Sequence, residues 1–99
     1  MYTIVFAEGV ADTLKAIRAY DLRRLLATMD RQLQREPARQ TRNRKVILGL
    51  KVPWTHEEPI WELRVGEYRV FYDVDEPRKR VIVRAVRRKA PHQTSEEML

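Results

Sequence analysis

Residues 61–72 read WELRVGEYRVFY, and no other stretch constrains the chain as strongly. A two-residue bend at Gly66 and Glu67 sets Val65 opposite Tyr68, Leu63 opposite Val70 and Trp61 opposite Tyr72. Side chains alternate across a strand, so these three pairs share one face while Arg64/Arg69 and Glu62/Phe71 share the other. The first face is a core surface; the second is cationic and predicted to be open. Two arginines directly opposite each other repel, at a cost of roughly a few tenths of a kcal/mol. Folding alone gives no reason for that placement, whereas a polyanion does.

The hairpin continues into a meander. Pairing Val74 with Val81 puts Val83 opposite Tyr72 and Ala85 opposite Val70, on the core side. The same register places Arg84 beside Phe71, and sets Val86 and Arg88 on the side of Arg64 and Arg69. Four arginines are thus expected around one aromatic ring, a surface suited to phosphate with Phe71 available to stack on a nucleobase. Residues 75–79 form a turn around Pro77, and residues 81–88 form the third strand. Seven Lys or Arg and no acid lie between Arg78 and Ser95, so local ion pairs along this segment are not expected to neutralise it.

Upstream, residues 2–7 are a β-branched and aromatic run closed by Glu8-Gly9, a first strand. Val10, Leu14 and Ile17 then recur at helical spacing up to Tyr20, with Asp12 in the first turn. Asp21 is the expected cap of a second helix, whose stripe of Leu22, Leu25, Leu26, Met29 and Leu33 ends before Pro37. Such a stripe is a core seam, and the two helices form an αα-hairpin. Residues 38–59 lose this periodicity and turn basic, with Arg39, Arg42, Arg44, Lys45 and Lys51. A connection of that length is commonly functional, and Trp54 with the apolar patch at 46–50 argues against disorder. In the tail, Thr94 and Glu97 are spaced as a capping box for one short turn. The fold class is therefore α+β: an N-terminal strand, a helical hairpin and a three-stranded antiparallel meander forming one twisted sheet on the helices.

Ninety-nine residues, 43% of them hydrophobic, are expected to form one domain over 1–99 with a single core. The net charge of +6 favours nucleic acid, an anionic membrane or an acidic protein. The absence of cysteine removes disulfide and thiolate chemistry and fits a reduced compartment, so the expected location is the cytoplasm. The apolar start is too short for a signal peptide, and no stretch approaches the roughly 18 apolar residues of a membrane span. His56 and His92 lie far apart without ligand-spaced partners, Ser95 is the sole serine and has no nucleophile elbow, and three glycines cannot make a phosphate loop. No metal, small-molecule cofactor or membrane partner is expected.

The order of elements, with ELRVGEYRVFYDVD followed by VIVRAVRRK, resembles the RelE/ParE superfamily of type II toxins from bacterial toxin–antitoxin modules. The similarity covers nearly the whole chain. It rests most on Leu63-Arg64 before the tight turn, Tyr68-Arg69-Val70 and Tyr72 after it, and Arg87-Arg88-Lys89 at the end of the last strand; residues 41–45, TRNRK, also resemble this group. For RelE-like members the resemblance implies an mRNA interferase that works without metal in the ribosomal A site and is neutralised by a cognate antitoxin. Its partners are then mRNA, the ribosome with its rRNA, and that antitoxin.

Such an enzyme transfers the RNA phosphoryl group to the adjacent 2′-oxygen, which requires proton removal, charge stabilisation and protonation of the 5′ oxygen. Arg69 matches the family's functional arginine and is assigned to the phosphate. Lys89 matches the basic residue ending the last strand. His92, whose side chain ordinarily titrates near about 6.5, is the natural acid or base. Glu62 is the other candidate base, and Glu57 or Glu58 could supply that carboxylate instead. RelE-like lysines before the hairpin are replaced here by Ile60 and Glu62, and the tail tyrosine by Ser95 or His92, so the family's acid and base do not carry over. RNA contacts are expected from Arg44, Lys45, Lys51, Arg64, Arg84, Arg87, Arg88 and Phe71. Competing readings are that the arginines only protect a sheet edge, that His92 is an ordinary surface residue, and that Glu62 pairs across the sheet. At the level of function, the alternatives are a ParE-like poison that binds DNA gyrase, and an inactive antitoxin-binding homologue.

Overall fold

The hairpin at Gly66 forms in the predicted register. The computed structural model describes residues 1–94 and 96–98; Ser95 lies outside them. The chain runs β1 (Thr3–Phe6), α1 (Val10–Lys15), α2 (Ala19–Leu33), β2 (Arg44–Ile47), β3 (Ile60–Val65), β4 (Tyr68–Asp75), β5 (Arg80–Arg88) and a 3₁₀ turn, Glu96–Met98. The strands make one sheet in the order β1-β5-β4-β3-β2. β1 runs parallel to β5, and the other neighbours are antiparallel. The α+β arrangement is as expected, and the meander gains a fourth antiparallel strand that the sequence concealed. β2 is short, opens on Arg44 and Lys45 and pairs only along β3, so it carries no hydrophobic alternation of its own.

Helix α1 stops at Lys15 and α2 starts at Ala19, with Arg18 at the N-cap position. Asp21 is therefore in the first turn rather than the cap, where it accepts from Nε of Arg18 at 2.9 Å. Leu25, Met29 and Leu33 pack with Val10 against Trp61, Leu63, Val65, Val70, Tyr72, Val81, Val83 and Val86, the core face of the sheet. Buried Tyr72 ties sheet to helix end by donating from its hydroxyl to the carbonyl of Pro37 at 2.6 Å.

The opposite face departs from expectation in two ways. First, the register between β4 and β5 shifts at Phe71/Tyr72: Tyr72 pairs with Val83 as predicted, but Phe71 pairs with Ala85, and Arg84 is the extra, bulged residue. One inserted residue inverts every side chain beyond it. Val86, not Ala85, therefore faces the helices, and Arg87, not Arg88, stands beside Arg69. Second, this face is covered. Val52 and Trp54 from the connection and Met98 from the terminal turn pack on Ile60, Phe71 and Ala85 as a second small core. Glu97 N–H donates to the Thr94 hydroxyl at 3.4 Å, so the expected capping pair seats that turn.

Candidate active site

The β3–β4 turn is built around Gly66, whose φ of +58° puts glycine at the first central position, as a type II′ hairpin requires. Arg69 wraps this turn: its Nη1 donates to the carbonyls of Gly66 at 2.8 Å and Tyr68 at 2.9 Å. Its Nε lies 4.0 Å from Oε1 of Glu62, and the residue is only 8% exposed. Burial, then the charge of Arg64 directly opposite, lowers the Arg69 pKa from its usual value, and Glu62 partly offsets this. Arg64 and Arg69 thus share one face as predicted, with Arg64 exposed. The bulge completes the row with Arg87, which pairs with Arg69 across β4–β5 and rests its guanidinium 5.5 Å from the centre of the Trp54 ring.

Beyond β5 the chain bends back. The N–H of Lys89 donates to the carbonyl of Glu67 at 2.7 Å, and Gln93 N–H closes a turn on Ala90 at 3.1 Å. His92 sits in that turn at φ +65°, a left-handed conformation uncommon for a non-glycine residue. The result is an open pocket of about 290 Å³ lined by Gly66, Glu67, Arg69, Lys89, Ala90, Pro91 and His92. Three of the four predicted catalytic residues, from a strand, a strand end and a tail, meet there.

The fourth does not reach it. Glu62 is 1% exposed, not on an open face, with Lys45 Nζ at 3.8 Å and Arg69 behind the pocket wall. It can hold Arg69 but cannot meet a ribose. Four of the expected RNA contacts are also displaced. Arg44 is buried and donates from Nη1 to the carbonyls of Gln32 and Glu36, capping the C-terminal end of α2. Arg84, at the bulge, is held by Asp73 at 2.7 Å. Arg88 lies on the helix side, paired with Glu67 at 2.8 Å. Phe71 is fully buried; enclosing such a ring stabilises by roughly 1.5–3 kcal/mol, which decides for core over base stacking. Lys45 and Lys51 remain exposed.

The basic terminal segment is less bare than its sequence implies, because β4 and the turns on either side of it supply acids. Asp75 pairs with Arg78 and Arg80, Glu76 with Lys79, Asp73 with Arg84 and Glu67 with Arg88. Among the described residues, Arg64, Arg87 and Lys89 face no carboxylate within ion-pair distance, so the hairpin end keeps three unpaired cations. His56 sits elsewhere, bonded to Glu58 at 3.0 Å, and among the described residues no three His, Asp or Glu converge as metal ligands. Sequence reasoning missed Glu67 as a pocket residue; its place as the second residue of the tight turn was the available signal.

Residues 4–90 match the family model described as ParE toxin of type II toxin-antitoxin system, parDE. The chain belongs to the RelE/ParE superfamily of toxins of type II toxin–antitoxin systems. Its fold is that of solved RelE structures. The archaeal RelE–RelB complex from Pyrococcus horikoshii aligns over 91% of this chain and 97% of that chain with a TM-score of 0.70 at 22% identity. The isolated E. coli RelE toxin covers 96% and 89%, at a TM-score of 0.69 and 16% identity. A RelBE toxin–antitoxin complex from Mycobacterium tuberculosis covers 89% and 98%, at 0.65 and 22%. No curated protein sequence matches the chain significantly. Among the described residues, no helix of this RelE/ParE toxin is long and apolar enough to cross a membrane.

Proposed function

We propose that this toxin is a ribosome-dependent endoribonuclease that inhibits translation by cutting mRNA through attack of the 2′-oxygen on the neighbouring phosphate. The observation that carries the reading is the pocket where Arg69, Lys89 and His92 meet. Arg69, fixed by two carbonyls, presents its remaining N–H groups to a phosphate whose charge grows in the transition state. Lys89 adds a second cation. His92, exposed at the pocket rim, exchanges a proton with the 2′- or 5′-oxygen. Glu62 acts from behind, orienting Arg69. The exposed Arg64 and half-buried Arg87 extend the cationic strip along which mRNA and rRNA phosphates run.

Under this reading the domain works alone on a cytoplasmic ribosome, and a cognate antitoxin is its partner, since relatives of the same fold were solved as RelE–RelB complexes. A second reading follows from the matched family itself, whose name is ParE: a poison that binds DNA gyrase without cleaving nucleic acid. Mapping mRNA 5′ ends on ribosomes after induction separates the two. Codon-boundary ends that disappear with Arg69→Ala support the nuclease; intact mRNA with blocked supercoiling supports the poison; neither effect leaves an inactive antitoxin-binding homologue.

A further inference from the structure

We propose that the outer face of α2 is a second RNA-binding surface, a ridge of arginines that docks on the phosphate backbone of ribosomal RNA; the choice of the ribosome rests on the nuclease reading. The helix buries Leu25, Met29 and Leu33 and turns Tyr20, Arg23, Arg24, Ala27 and Arg31 to solvent. At 3.6 residues per turn, Tyr20, Arg24, Ala27 and Arg31 fall in one row with Arg23 at its flank. Exposed Arg35 follows just past the C-cap residue, Gln34. Among the described residues, none of these four arginines pairs with a carboxylate, whereas Arg18, Arg78, Arg80, Arg84 and Arg88 are each held by one. Asp21, three residues before Arg24, is turned to Arg18 at 2.9 Å, and Asp30 is the one exposed acid of the helix.

Helix stability alone does not account for this face. Cations near a C-terminal end suit the macrodipole, which covers Arg31 and Arg35, but Arg23 and Arg24 stand in the first half of α2 and gain nothing from it. The ridge also joins the candidate active site. The Arg24 guanidinium lies over the hairpin tip, with Nη1 and Nη2 each 3.0 Å from where a Cβ on Gly66 would stand, and Gly66 lines the pocket of Arg69, Lys89 and His92. The cationic surface therefore runs from the pocket across the tip and along the helix. Its chemistry suits a sugar-phosphate backbone better than a protein. Protein interfaces are anchored by buried aromatic and apolar side chains and are poor in charge at their centre, whereas here only Tyr20 and Ala27 stand among the arginines. Phosphates are gripped by arginine without apolar support, and Tyr20, 70% exposed, is available to stack on an unpaired base.

Cosedimentation of the full chain with 70S ribosomes over a series of salt concentrations tests this. Replacing Arg23, Arg31 and Arg35 together by glutamine should weaken binding by about 10-fold or more and lower the slope of log affinity against log salt by about two to three units. Replacing the same three by lysine should keep most of that slope. Because none of the three lines the pocket, single-turnover cleavage at saturating ribosomes should proceed at the wild-type rate. All three side chains are exposed and glutamine is nearly as good a helix former as arginine, so circular dichroism should not change. A matched variant carrying glutamine at Arg78, Lys79 and Arg80, cations already held by Asp75 or Glu76, loses the same formal charge and should bind within about twofold of wild type. Wild-type affinity and slope in the ridge variant overturn the proposal, as does an equal loss in the matched variant. A ridge variant that binds ribosomes normally but has lost affinity for a polyglutamate peptide assigns the face to an acidic protein instead. A chain that binds ribosomes through the ridge yet leaves mRNA whole overturns the nuclease reading and keeps this one; a wild-type chain that does not bind ribosomes overturns both.

Discussion

Nε of Arg69 stands 4.0 Å from Oε1 of Glu62, with both side chains nearly closed off from water. The carboxylate is thereby a counter-charge beneath the pocket. Removing it leaves a buried guanidinium with its two carbonyl acceptors but no counter-charge, which costs far more than a surface pair is worth. Glu62→Ala is expected to destabilise the fold by about 3 kcal/mol, read as a lower midpoint in urea at unchanged slope.

Arg64 is the converse case, since it faces Arg69 across the hairpin without a carboxylate of its own. Arg64→Ala relieves like-charge repulsion, so stability should hold or rise by about a few tenths of a kcal/mol. RNA binding should weaken, and the slope of log affinity against log salt should fall by about one unit if Arg64 contacts one phosphate. An unchanged salt slope would take Arg64 out of the interface.

Tyr72→Phe deletes the hydroxyl that reaches the Pro37 carbonyl and leaves the ring in place. The abandoned carbonyl is expected to cost about 1–2 kcal/mol in chemical denaturation, with the sheet unaltered. Burial also pushes the Tyr72 hydroxyl well above its usual pKa, so its absorbance should stay unchanged as pH is raised through the ordinary tyrosine range.

His56 bonds through Nε2 to Glu58 and through Nδ1 to the Trp54 carbonyl; the first contact chiefly, then the second, raises its pKa above the ordinary value. A raised folded value means the stabilisation is fully present below the unfolded value of about 6.5 and is lost as pH climbs through the folded one. Unfolding midpoints should therefore fall with rising pH across that window in the wild type and less so in Glu58→Gln. A proton NMR titration placing His56 at or below the unfolded value would refute the pair.

Gly66→Ala is expected to cost about 1 kcal/mol or more, because its φ of +58° penalises any Cβ. The new methyl would also lie 3.0 Å from the Arg24 guanidinium, but that flexible end can move aside. Adding Arg24→Ala should then recover little of the loss in thermal melts.

The local pattern of the chain was enough for the hairpin, its pairs and the helical seam, because two-residue turns and 2.0 and 3.6 periodicities are short-range properties that each element carries by itself. It was also enough to place Arg64 and Arg69 on one face. What it could not carry was anything set by an inserted residue or by distant chain. The bulge at Arg84 turned Ala85, Val86, Arg87 and Arg88 over, and no alternation in residues 81–88 marks where such a break falls. Trp54 and Met98 closed the second face over Phe71 from far along the chain, and Glu62, which pairs with Phe71 across the strands, is interior rather than at the surface. The same tertiary folding brought Glu67, Lys89 and His92 beside Arg69, since a pocket exists only where separate segments converge and the free energy of that convergence is a property of the whole packed molecule.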